Sequence, residues 1–116
     1  MKFSFYNEKE FDMFLNSLPL KERTDILNLL VKITHEGMLK SMQLKLVKKL
    51  DDGLYEARAM KHSFNDRVIY FKFVGDEYVI SHAFKKKTKK TPHKELEKAK
   101  SRKRLFKEAH KNDGIQ

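Results

Sequence analysis

The chain contains no cysteine, which excludes disulfides, thiolate-held metals and any redox chemistry carried by thiols, and which suits a reducing cytosol. It also lacks a Walker-type glycine-rich loop, a Gly-x-Ser-x-Gly elbow, and any closely spaced set of His and carboxylate ligands. The five histidines, at positions 35, 62, 82, 93 and 110, are dispersed. Zinc sites normally show local ligand pairs, so neither a metal nor another cofactor is expected. No run approaches the roughly eighteen apolar residues of a membrane span, and Met1 to Tyr6 has no apolar signal-peptide core. The expectation is a soluble cytoplasmic protein with no membrane partner. No internal repeat and no Gly/Ser linker divides the chain, so residues 1–116 are read as a single domain.

What is present is a packed interior and an uneven charge. Hydrophobic residues make up 40% of the 116 positions, with nine Phe and four Tyr, and a chain of this length buries about two thirds of its unfolded surface, enough for one modest core. The formal net charge of +10 sits in one segment: Lys85 to Lys107 carries twelve Lys or Arg against Glu95 and Glu97, while acidic and basic residues cancel elsewhere. A concentrated block of this kind displaces several counterions together when it meets a phosphate backbone. Nucleic acid is therefore the leading partner class. The competing reading is a solvated basic tail, against which stand helix punctuation and spaced apolar residues within the block.

Along the chain, Lys2 to Tyr6 alternates as a short strand ending at Asn7, which can cap a helix. Phe11, Phe14, Leu15 and Leu18 then recur at helical spacing, with Glu8 and Glu10 in the first turn, until Pro19. A second helix fits Leu20 to Glu36, with Gly37 as its C-cap. Met38 to Lys49 is less regular. Asp51-Asp52-Gly53 introduces a strand from Leu54 to Met60, and Arg67–Val74 and Tyr78–Phe84 form a hairpin about Gly75-Asp76. The period of two places Tyr78, Ile80, His82 and Phe84 on one face of the last strand. Thr91-Pro92 reads as N-cap and first helical residue of a basic C-terminal helix, about 92–110, whose apolar stripe of Leu96, Ala99, Leu105, Phe106 and Ala109 is thin. The order β-α-α-β-β-β-α predicts an α+β fold. Its small, mostly antiparallel sheet carries the N-terminal helical hairpin on one face and leaves the other partly open.

A group of cations and imidazoles gathers around these strands: Arg58, Lys61, His62, Arg67, His82 and Lys85 to Lys87. Such a set can support RNA cleavage without a metal, in which a ribose 2′-hydroxyl attacks the adjacent phosphate. A base takes the proton, an acid protonates the leaving oxygen, and cations stabilise the charge developing at phosphorus. Each residue also has a plainer role. Arg58 and Glu56, two apart on one strand face, can pair within the sheet; His82 can be a hydrogen-bonded packing residue; Lys85 to Lys87 can merely position phosphates. Taken alone, these features support binding better than catalysis.

The strings Leu54-Tyr55-Glu56-Ala57-Arg58, Asp66-Arg67-Val68-Ile69-Tyr70-Phe71 and His82-Ala83-Phe84-Lys85-Lys86-Lys87-Thr88-Lys89-Lys90-Thr91-Pro92, followed by Glu95-Leu96-Glu97-Lys98-Ala99, add a resemblance. In this order and spacing the segment resembles the HigB-like, phage-derived branch of the RelE/ParE toxin superfamily. The resemblance implies a type II toxin that cleaves messenger RNA on the translating ribosome and is silenced by a cognate helix-turn-helix antitoxin, in a complex that can be heterotetrameric. It implies catalytic roles for Arg58, Arg67, His82, Lys86 and Lys87, with Arg67 and Lys86 stabilising phosphate and His82 transferring a proton. Lys61, Lys85, Lys89, Lys90, Lys94, Lys98 and Arg102 are then the expected RNA contacts, and Glu56 can orient Arg58. Some relatives use a Tyr or acidic residue near the chain end, and here no Tyr follows Tyr78, which leaves the general base open. The alternatives are a non-enzymatic member of the superfamily acting on gyrase and a plain nucleic-acid-binding phage protein.

Overall fold

A computed structural model of the chain describes residues 1–58 and 65–112. Strand β1 (Lys2–Phe5) leads into helix α1 (Glu8–Asn16), and Asn7 caps it as expected, its side-chain oxygen accepting the Glu10 N–H at 3.0 Å. Pro19 separates α1 from α2 (Leu20–Gln43), which buries Ile26, Leu29, Leu30 and Ile33. Gly37 does adopt a left-handed φ of 82°, but it interrupts α2 instead of ending it. The helix resumes because Met38 and Met42 reach the core beyond the break. A short strand β2 (Val47–Lys49) follows in the stretch read as irregular; with two exposed lysines among three residues it offers no pattern to detect. Strands β3 (Leu54–Arg58), β4 (Asp66–Val74) and β5 (Glu77–Lys85) and helix α3 (His93–Ala109) complete the fold.

The five strands form one sheet in the order β1-β5-β4-β3-β2, parallel between β1 and β5 and antiparallel elsewhere. The fold class is the α+β expected, with one added strand. Each face has its own core. Tyr70, Val68, Ala57 and Ile80 pack under the α1–α2 hairpin, whereas Leu54, Ile69, Phe71, Val79 and Phe84 pack with Ala99, Leu96 and Phe106 of α3. The second face is thus covered by α3 more fully than the thin stripe implied. Leu96, Ala99 and Phe106 turn inward, while Leu105 is 49% exposed and Ala109 is exposed. Residue 102 falls on the same inward line, three after Ala99 and four before Phe106. Among the described residues no helix is long and apolar enough to cross a membrane.

One irregularity controls where the polar residues point. Ile69 pairs with His82 but Tyr70 pairs with Ile80, so Ser81 is an extra residue in β5. A bulge of this kind reverses the alternation beyond it. Tyr78 and Ile80 therefore belong to the hairpin side, whereas His82 and Phe84 face α3, and the single apolar face read from the period of two is split.

Candidate functional site

On the α3 face of the sheet, alternation along β3 turns Leu54, Glu56 and Arg58 the same way. Glu56 is completely buried. A carboxylate survives there only if its charge and lone pairs are met, and three neighbours do so. Lys86 Nζ donates to Oε1 at 3.2 Å, Arg67 Nε stands 3.7 Å from the same oxygen, and the Thr91 hydroxyl donates to Oε2. This engagement of Thr91 explains why it does not cap α3; the helix begins after Pro92 with no side-chain cap. Lys86 is itself 7% exposed, and its backbone N–H donates to the Asn65 carbonyl at 2.7 Å. Arg67 Nη1 donates to the Asp66 carbonyl at 3.0 Å.

Above this carboxylate lies an open depression of about 340 Å³ lined by Asn65, Arg67, Lys86, Lys87, Thr88 and Lys89. Its wall carries four cations and no carboxylate. The Thr88 hydroxyl donates to the Lys90 carbonyl at 2.7 Å and so shapes the loop that presents Lys87 and Lys89 to solvent. The arrangement is a cationic cradle in which two members are fixed by a buried anion and two remain exposed. Arg58 is half-buried at the end of β3 and pairs in register with Arg67, next to the cradle. Lys61 and His62 lie outside the described residues.

His82 is 3% exposed and both ring nitrogens are engaged. Nδ1 lies 2.8 Å from the Ser81 hydroxyl and Nε2 lies 3.0 Å from Glu95 Oε1 on α3. Burial pushes its pKa down to about 4, helped by the ammonium of Lys98, while Glu95 opposes the shift. The neutral ring then donates from Nε2 to Glu95 and accepts from Ser81 at Nδ1, a tautomer assigned from its partners. His82 thus links the bulge to α3 and does not open on the cradle.

Three expected RNA contacts are also held by carboxylates. Lys85 lies 2.7 Å from Glu22 and 3.1 Å from Asp66, on the hairpin side. Its ammonium lowers the pKa of Glu22, while burial raises that of Asp66. Arg102 grips Glu10 through two parallel bonds of 2.9 and 2.7 Å, donates to the Ser81 carbonyl at 2.7 Å, and lies 4.7 Å above the Tyr6 ring. The hydrogen bond from Arg102 holds the Glu10 carboxyl below its usual range. Lys98 stands 3.6 Å from Glu10. Lys87, Lys89, Lys90 and Lys94 are exposed. Sequence reasoning singled out Glu56 but paired it with Arg58, whereas its partners are Lys86, Arg67 and Thr91; it did not foresee Glu10, Glu22 or Asp66 as partners of Lys85, Lys98 and Arg102. The available signal was Glu56 itself, an acidic residue between apolar neighbours on a strand, but two of its partners, Lys86 and Thr91, lie 30 and 35 residues away.

Comparison with curated proteins finds no match. A family model described as phage derived protein Gp49-like matches residues 13–104, from within α1 to Arg104 of α3, and includes every cradle residue. The chain belongs to this phage-derived Gp49-like family, a family of RelE/ParE-like toxins.

Proposed function

We propose that the protein is the toxin of a type II toxin–antitoxin system, of the HigB-like kind, and that it cleaves messenger RNA on the ribosome in the cytoplasm. The observation that carries this reading is the cradle of Arg67, Lys86, Lys87 and Lys89 over buried Glu56. In cleavage the ribose 2′-oxygen forms a bond to phosphorus as the bond to the 5′-oxygen breaks. The 2′-hydroxyl proton leaves to a base and the 5′-oxygen gains a proton, giving a cyclic phosphate and a 5′-hydroxyl. Charge accumulates on the non-bridging oxygens, and prearranged cations lower the barrier without reorganising. Arg67 and Lys86 supply that fixed charge, Lys87 and Lys89 hold the flanking phosphates, and Arg58 extends the field. His82 acts from behind as a positioning residue. A cognate helix-turn-helix antitoxin silences the toxin, in a complex that can be heterotetrameric.

A second reading, nucleic-acid binding without cleavage, is favoured by one observation: no imidazole or carboxylate opens on the cradle among the described residues. The two separate in an end-mapping assay of a defined message, free or on translating ribosomes. Cleavage confined to ribosomes, and abolished by a single 2′-deoxy substitution at the mapped site, is expected. Binding without new ends supports the second reading, and growth arrest with neither directs the search to gyrase.

A further inference from the structure

At the far end of α3 a second depression, of about 270 Å³, is lined by Phe73, Lys107, His110 and Lys111. Its floor is aromatic. Phe73, half-buried near the end of β4, meets the Phe106 ring edge-on with centroids 5.0 Å apart, and His110 stacks on Phe106 at 4.1 Å. The planes of Phe73 and His110 lie 76° apart at 5.9 Å, so a flat ring stacking on one meets the edge of the other. His110 Nδ1 is fixed by the Phe106 carbonyl at 2.9 Å. The rim is cationic: Lys107 and Lys111 line it, and the pKa of Lys107 is lowered by burial and by neighbouring Lys103. Glu108 lies 3.8 Å from Lys111 in an exposed pair, a geometry that contributes little.

An aromatic floor with solvent-facing ammonium groups at its edge matches an unpaired nucleobase with its phosphate, because every base has a π-face and single strands are held by stacking plus backbone charge. We infer that this depression is a second RNA subsite, which stacks an unpaired base on Phe73, edge-on to His110, and holds the adjoining phosphate with Lys107 and Lys111. The inference rests on the proposal that RNA is the substrate. With 17 residues in α3, the subsite lies about 25 Å from the cradle end of the helix, so one single strand running along α3 reaches both. Duplex RNA, whose bases are already stacked, gains nothing from it.

The test is direct binding by the full chain, read apart from cleavage. The probes are a single-stranded RNA dodecamer carrying 2′-deoxy residues to block cleavage, and the same sequence as a duplex. Phe73→Leu, which keeps apolar volume, is expected to weaken single-strand binding about tenfold and to leave duplex binding unchanged. Lys107→Gln with Lys111→Gln, both on the surface, should reduce the dependence of log affinity on log salt by about 1.4. Thermal melting confirms folding of each variant. Single-strand binding by Phe73→Leu equal to wild type overturns the subsite and leaves the cradle untouched. Failure of the wild type to bind either RNA overturns the RNA reading itself.

Discussion

Removing the carboxylate of Glu56 strands two cations, one of them nearly buried, and that cost sets the residue-scale expectations. Glu56→Ala should lose on the order of 3 kcal/mol, seen as a lowered unfolding midpoint in denaturant. Glu56→Gln keeps a hydrogen-bond acceptor for Thr91 and should fold while losing the anchor of Lys86 and Arg67. An unchanged midpoint for Glu56→Ala would contradict the clamp. His82 gives a pH test. Its pKa is about 4 in the folded chain and about 6.5 unfolded, so between these values the unfolded chain binds more protons. Its contribution is whole above about 6.5 and falls as pH drops toward 4, by up to about 3 kcal/mol. Glu10, held low by Arg102, acts in the same direction below its ordinary value, whereas Asp66, raised by burial, acts in the opposite one. Melting temperature measured from pH 7 to 4.5 should fall more steeply for wild type than for His82→Gln; parallel curves would refute the assignment. From sequence, His82 was legible as a candidate hydrogen-bonded packing residue but not as turned toward α3, because a bulge at Ser81 has no reliable signature in the chain.

At the scale of elements, α3 is held by its apolar seam and by Arg102. One guanidinium joins α3 to Glu10 of α1, to the Ser81 bulge and to the Tyr6 ring. Arg102→Gln should cost about 2 kcal/mol, within the range for breaking a partly buried network, and hydrogen exchange should show α3 amides opening before those of β4. Arg102→Lys should recover little, since an ammonium cannot reproduce the planar fork. Exchange rates in α3 unchanged by either variant would contradict this anchoring. The helices and the three long strands were readable because their apolar periods span a turn or more, and Asn7 carried its own cap. Strand β2 was not, because its pairing with β3 is made by backbone and only Val47 is buried. Nor was the loss of the Thr91 cap, since a local motif cannot show that a distant Glu56 claims the same hydroxyl.

Across the whole molecule, acidic residues from elsewhere in the chain meet part of the basic segment. Glu22 and Asp66 meet Lys85, Glu56 meets Lys86, and Glu10 meets Lys98 and Arg102. These pairs fasten the segment to the body and leave Lys87, Lys89, Lys90 and Lys94 exposed at the cradle end of α3. The charge excess was legible from sequence, but its division between fasteners and a free surface was not, since that depends on which carboxylates the fold brings near. The most direct measurement is single-turnover cleavage of a mapped message on ribosomes by wild type, Arg67→Ala and Lys87→Ala, with Lys72→Ala as an exposed control on β4. The expected result is a loss of at least about a hundredfold for Arg67→Ala, a smaller loss for Lys87→Ala, and none for the control, with each variant still folded. A folded Arg67→Ala protein that cleaves at the wild-type rate would contradict the cradle as the site of phosphate stabilisation.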